Sequence, residues 1–468
     1  MRSVADSDGD TINCANSSPM LASVTMLAVG QLPAFPSDLF LRLLMQTKPV
    51  PLRQIVAAVI GNALEWYDFV VYGFLTVIIS RLFFPADSEY ASLLLTMVTF
   101  GVGFFMRPIG GVLIGMYADR KGRKAALQLI ISLMTISIAM IAFAPTYAAV
   151  GVAAPIIILL ARLLQGMATG GEFASATAFL VESAPAGRRG FFGSLQMVGQ
   201  SMAALAGAVV GMLITQGLTP EEVDSWGWRL PFLFGLLIGP VGLYIRRYLD
   251  ETEAFLEAST AQIERIGLVQ LWRDHKRSIL ACFSLVVAGT IMYYVVLIYM
   301  PTYAKTQLKI PLGDAFAAQV AGLLCLTVAI PFFGVLSDRI GRKPVLFVAM
   351  LCYFVLPYPL LAWLQAEPTV LRLAIMQMVL CTTVAIAFGP ISTALAEQFP
   401  VHSRSTGLAL AYNFAVMLFG GFAQLIVTWL ISVTGTPLAP AFYVMFGAVV
   451  GTIGVLLMVD HFKEEKLQ

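Results

Sequence analysis

Asn62, Glu65, Asp68, Tyr72 and Thr76 follow one another at spacings of 3, 3, 4 and 4, in a stretch otherwise almost wholly apolar. On a helix that spacing puts all five on one face. Arg162, Gln165, Thr169 and Glu172, spaced 3, 4 and 3, form a second such face. A carboxylate in a long apolar helix must meet water, find a partner or bind a proton. Desolvation and a second carboxylate both favour the protonated form, and Glu65 with Asp68 supplies that second acid. Glu65, Asp68 and Glu172 are therefore the proton-binding candidates. The alternative for the first pair is a hydrogen-bonded lock between its helix and the fourth or fifth span. Arg162 cannot lose its proton and needs an anion, either a carboxylate of the chain or a substrate. Arg107, on a face with Thr96, Thr99 and Gly103, immediately precedes Pro108. Its guanidinium can grip a carboxylate with two prongs. The other reading of Arg107 is a packing partner for Glu182 or Asp119.

Such residues need elements to hold them. Of the 468 residues, 59% are hydrophobic and only 12% charged, far below the quarter usual in soluble domains. Apolar runs recur from about 54 to 460, each about 20 residues or longer, which is the length that crosses a bilayer. Twelve helices are read, at 54–80, 91–117, 125–145, 152–181, 191–217, 228–247, 278–303, 313–337, 344–364, 370–396, 407–433 and 439–459. The fold class is all-α and membrane-spanning. The polar stretch 248–277 divides the chain into bundles 51–247 and 278–460. Residues 1–50, with clustered Asp, Asn and Ser, read as a disordered tail, with Met45 as a candidate start; residues 461–468 form a second tail. Arg120, Lys121, Arg123, Lys124, Arg188, Arg189, Arg339, Arg342, Lys343 and Arg404 fall in one set of loops; the opposite set is poor in cations. That asymmetry puts both termini in the cytosol. Cys282, Cys325, Cys352 and Cys381 lie within spans without metal-ligand spacing, so no metal or other cofactor is expected.

The halves repeat. "GMYADRKGRK" (Gly115–Lys124) and "GVLSDRIGRK" (Gly334–Lys343) share six identities at an offset of 219 residues, and Glu182 and Glu397 recur at 215. Two landmarks at nearly one offset mark a duplicated six-helix unit, an architecture of secondary transporters. Asp119, Arg120, Arg123 and Glu182 can pair across the turns of the first half. Asp338, Arg342 and Glu397 can do the same in the second, holding that side closed. Gly101, Gly103, Gly110, Gly111 and Gly115 permit close helix approach.

"GNALEWYDF" (Gly61–Phe69), "FMRPIGG" (Phe105–Gly111), "RLLQGMATGGEF" (Arg162–Phe173), "WGWRLPF" (Trp226–Phe232) and "LDETEAF" (Leu249–Phe255), together with the repeated turn, resemble the metabolite:proton symporter family of the major facilitator superfamily. The resemblance covers roughly 50–460. It implies a proton-coupled symporter importing a small organic acid, such as the di- or tricarboxylates citrate and α-ketoglutarate. It favours Arg107 as a substrate ligand and links Arg162 and Gln165 to proton transfer. Proline or betaine is the alternative cargo; a multidrug exporter or a non-transporting sensor is less well supported. Substrate contacts are expected at Arg107, Arg162, Gln165, Gln196, Gln200, Tyr293 and Asn413, with Tyr294, Tyr412 and Arg229 as weaker candidates. The expected partners are that acid, a proton and the bilayer of a cell inner membrane. No nucleic acid is expected, and the chain is expected to be monomeric. No P-loop is present, and the three histidines sit at predicted span edges, so an enzyme is not supported.

Overall fold

The computed structural model describes residues 52–121, 123–170, 172–185, 187–236, 239, 268–400 and 403–459. Every regular element among them is helical, as backbone groups in lipid demand. Span 1 is α1 (Leu52–Phe74) and α2 (Thr76–Phe83), bent by 64° at the break between them. Span 2 is α3 (Glu89–Lys121) and span 3 is α4 (Arg123–Ala142). After the short α5 (Tyr147–Val150), span 4 comprises α6 (Ala153–Ala168) and α7 (Glu172–Glu182). Span 5 is α8 (Arg189–Gly217). The connection to span 6 holds α9 (Pro220–Ser225), started by a capping box in which Thr219 and Glu222 satisfy each other's backbone. Span 6 is described only from 230 to 236 and at 239.

The second half repeats the plan. Span 7 runs through α10 (Leu268–Met292), a π-helical segment Tyr293–Tyr299 and α11 (Met300–Gln307). Span 8 is α12 (Leu312–Ile340), span 9 is α13 (Arg342–Val355) with α14 (Pro357–Ala366), and span 10 is α15 (Val370–Ala396). Span 11 is α16 (Arg404–Ala415), a π segment Val416–Gly420 and α17 (Ala423–Thr434); span 12 is α18 (Ala439–Leu457). Eight helices are long and apolar enough to cross a membrane alone, and the bent span 1 makes nine. The apolar parts of spans 3 and 4 are shorter, and with span 6 they complete the twelve read from the sequence. The tails 1–50 and 461–468 and residues 248–267 lie outside the described residues; 268–277 of the expected linker are already α10.

Two packing features position the site. Spans 2 and 4 meet backbone to backbone: a Cβ built on Gly166 would collide with the carbonyl of Gly103, and one on Gly170 with the carbonyl of Arg107. Gly166 and Gly170 are a small-xxx-small pair, which lets two helix axes approach closely. Spans 5, 8 and 10 pack together across the middle of the molecule. There Ser201 and Thr327 share a hydroxyl–hydroxyl bond of 2.6 Å, and Thr393 donates to the carbonyl of Arg189 at 2.8 Å.

Candidate functional site

Arg107 is only 2% exposed, held by the α3 backbone that rests on Gly170. Its guanidinium lies over the rings of Phe104, Phe69 and Trp66, with 4.5, 4.7 and 5.4 Å to the centroids. Ring faces stabilise a cation but leave its in-plane N–H groups unfilled. Arg107 lines a cavity of about 270 Å³ together with Asn62, Glu65, Trp66 and Thr169. Among the described residues no carboxylate comes within 4 Å of it. A fixed positive charge and an acid thus share one small polar space.

Arg162 is fully buried. Its Nη1 donates to Gln165 Oε1 at 2.5 Å, and Phe69, Tyr72 and Phe100 stack around it at 4.6–4.8 Å. It is within electrostatic reach of Asp68 and Arg107. Neither it nor Gln165 lines that cavity, whose wall on this side is Phe69. Asp68 is also buried, on the side of α1 that meets Gly235 of span 6. The one predicted face of span 1 therefore divides: Asn62 and Glu65 reach the cavity, and Asp68 and Tyr72 point into the first bundle.

The other predicted contacts sort by partner. Gln196 and Asn62 bond reciprocally: Gln196 Nε2 donates to Asn62 Oδ1 at 3.1 Å, and Asn62 Nδ2 to the Gln196 carbonyl at 3.0 Å. That is a lock between spans 1 and 5. Asn413 donates to the carbonyl of Gly170 at 2.6 Å, joining spans 11 and 4. Arg229 donates to the carbonyls of Ser225 and Ala144, a loop latch. Gln200 and Tyr293 line a second cavity of about 410 Å³ with Tyr294 and Tyr412. The Tyr412 hydroxyl interacts with both Gln200 and Arg107, so spans 2, 5 and 11 converge there. Trp66 and Phe173 border both cavities. Trp66, Phe173 and Phe388 were not read as site residues. Their only sequence signal is adjacency, Trp66 beside Glu65 and Phe173 beside Glu172. The side chain of Glu172 lies outside what the structure describes, as do those of Asp119, Arg120 and Arg123.

On the side bearing the repeated turns, charges bridge the halves. Arg342, 2% exposed, pairs with Glu397 at 3.2 Å and Asp338 at 3.3 Å. Asp338 accepts from the backbone N–H groups of Gly190 and Phe191, at 2.7 and 3.0 Å, so a second-half acid caps the start of α8 in the first half. Arg404 pairs with Glu182 at 2.7 Å across the same divide. Nearby, Phe173 stacks on Tyr412 with ring centroids 3.7 Å apart. Reversing Glu182 to lysine sets two cations against each other. The expected result is faster labelling of a cysteine placed at Ala174, 3% exposed two turns back along α7 from Glu182, with single-turnover maleimide kinetics as the measurement.

A sequence profile of the Major Facilitator Superfamily matches residues 59–410. The chain belongs to the major facilitator superfamily. It is 35% identical to a citrate-proton symporter of Salmonella typhi over 398 residues, 85% of this chain and 92% of that one. It is 34% identical to a proline/betaine transporter of Salmonella typhimurium, covering 86% of this chain and 82% of that one. Among solved structures, the D-xylose-proton symporter superposes with a TM-score of 0.69 at 19% identity over 85% of this chain and 96% of that one. A partially occluded inward-open form of the xylose transporter XylE from E. coli gives a TM-score of 0.68 at 18% identity, over 86% and 96%. These bear out the all-helical membrane fold of two six-helix repeats, and the chain is a multi-pass membrane transporter of this superfamily.

Proposed function

We propose that this superfamily member is a proton-coupled symporter that imports a small organic acid by alternating access. The carrying observation is Arg107: a buried, permanently charged guanidinium lining a cavity with Glu65, and with no carboxylate of the described chain in ion-pair range. A substrate carboxylate completes it. Glu65 carries the proton in the same space; its neutral form admits the anion, and its ionised form repels it. Similarity to a citrate-proton symporter supports the coupling and the acid. Proline or betaine is the second reading, favoured by similarity to proline/betaine transporters and by ring faces that can hold a cationic end.

In this mechanism the halves 51–247 and 278–460 rock as a monomer in the inner membrane. The basic turns face the cytosol, as positive charge does. The Asp338 cap on the Gly190 and Phe191 N–H groups, with Asp338 held in place by Arg342, and the Arg404–Glu182 pair hold the cytosolic side closed and separate when it opens. Asp119, Arg120 and Arg123 act in the matching turn, and Asp68 and Glu172 are further candidates to relay the proton. Gln165 steadies Arg162, and the pair acts on the substrate through charge.

Purified protein in liposomes with an alkaline interior tests this. Uptake of labelled citrate or another acid should follow the pH gradient. Glu65→Gln should lose at least tenfold of the gradient-driven accumulation yet retain exchange of internal for external substrate. Gradient-independent uptake by the wild-type protein overturns the coupling.

A further inference from the structure

We propose, building on the symporter reading above, that the substrate is a hydroxylated aromatic carboxylate: its carboxylate binds Arg107 and its ring occupies the adjoining larger chamber. The two cavities adjoin at Trp66 and Phe173, which line both, and the proposed ligand lies across that shared boundary. Their chemistry differs. The smaller holds Arg107 and Glu65. The larger, about 410 Å³, has no ionisable acid or base in its lining among the described residues apart from tyrosines.

Charge decides against the other cargoes. A second or third carboxylate in the larger chamber would lose its water with no cation to replace it. Arg162, a second buried cation of the first half, is screened by Phe69, Tyr72 and Phe100. A quaternary ammonium can lie on the ring faces, but its methyl groups neither donate nor accept, so the buried hydroxyls of Tyr293 and Tyr294 stay without a partner. A planar ring meets none of these penalties. Tyr293 stacks on Phe388 at 5.9 Å, and Trp66 stands edge-on to Tyr293 at 6.1 Å, so ring faces and edges already define the walls.

The polar atoms of the wall call for a hydroxyl. Tyr293 Oη and Tyr294 Oη are both buried in the chamber wall and find no hydrogen-bond partner among the described residues. Buried groups of this kind are normally satisfied, and a ring hydroxyl both donates and accepts. A site built to bond a hydroxyl discriminates strongly against the analogue lacking it. Tyr293 is thus the specificity-determining residue for the ring hydroxyl.

The test uses the full chain in liposomes with an imposed inside-alkaline gradient, with empty liposomes as the control for passive diffusion. Labelled 4-hydroxybenzoate, benzoate, citrate and glycine betaine are the probes. Wild-type protein should accumulate 4-hydroxybenzoate in preference to the others, with benzoate weaker. Tyr293→Phe keeps the ring and removes only the hydroxyl. It should raise KM for 4-hydroxybenzoate about tenfold while leaving KM for benzoate unchanged, a split that a merely structural tyrosine would not produce. Gradient-driven uptake of citrate or betaine, with 4-hydroxybenzoate neither transported nor competing, overturns the ring-acid assignment and leaves the symporter reading standing. An equal change for both ring acids in Tyr293→Phe overturns it as well. If no probe moves with the gradient, the ring-acid assignment falls.

Discussion

Replacing Arg107 by glutamine should lower substrate uptake about a hundredfold or more while the protein still inserts, purifies and melts near the wild-type temperature. Truncating one side of a buried charge pair costs about 2–5 kcal/mol, and among the described residues Arg107 has no carboxylate partner to leave behind. The loss therefore falls on binding rather than on folding. The three ring contacts are also lost, but glutamine keeps much of the stem that packs between them. Lysine should rescue only partly, because a point charge cannot reproduce the planar two-pronged grip. Arg162→Gln provides the contrast. That guanidinium is enclosed by rings and bonded to Gln165, so its removal should lower the melting temperature as well as uptake. Counterflow of a labelled acid, read beside fluorescence-detected size exclusion and thermal unfolding, separates the two effects. Undiminished counterflow in Arg107→Gln removes this residue from the substrate site.

The contrast between the arginines shows how far the sequence could be read. Spacing placed Glu65, Asp68, Arg162 and Gln165 on polar faces, and all are withdrawn from lipid. The repeated turn showed that Asp338, Arg342 and Glu397 belong together, and the structure brings them into one ion cluster. Periodicity gives a face but not the rotation or bend of its helix. Glu65 and Asp68 both precede the break of span 1 at Phe74, and the roughly 60° between them around α1 is enough to turn Glu65 to the cavity and Asp68 to span 6. A buried amide is satisfied equally well by a neighbour or by a substrate. Gln196 and Asn413, read as substrate contacts, form bonds to Asn62 and Gly170 instead. The aromatic chamber was legible only in part: Gln200, Tyr293, Tyr294 and Tyr412 were among the expected contacts, and Trp66, Phe173 and Phe388 were not. Trp66, Phe173, Gln200, Tyr293, Phe388 and Tyr412 come from six different spans, and no local pattern distinguishes such rings from those that pack against lipid.

Gly166→Val should be among the most damaging single changes in the chain, although Gly166 touches neither cavity. The Arg107 and Arg162 backbones are set by the line along which α3 and α6 run in contact. At its centre a Cβ on Gly166 would strike the Gly103 carbonyl, while one on Gly103 would lie 3.0 Å from the Arg162 carbonyl. The obstruction is backbone, which no rotamer change can move aside, so the two helices must separate. Separation opens the packing around both arginines at once. Costs above about 4 kcal/mol come from a short list of mechanisms, and overpacking a backbone crossing belongs on it. The expected outcome is little folded protein in the membrane, and aggregation on extraction. Gly61→Ala is the matched control: it lies on the same first-half scaffold, a Cβ there meets nothing within 4 Å, and alanine is the better helix former. That variant should melt at or slightly above the wild-type temperature and transport normally. If Gly166→Val instead purifies with a wild-type melting curve, spans 2 and 4 do not cross at these glycines, and the placement of Arg107 over the cavity fails with them.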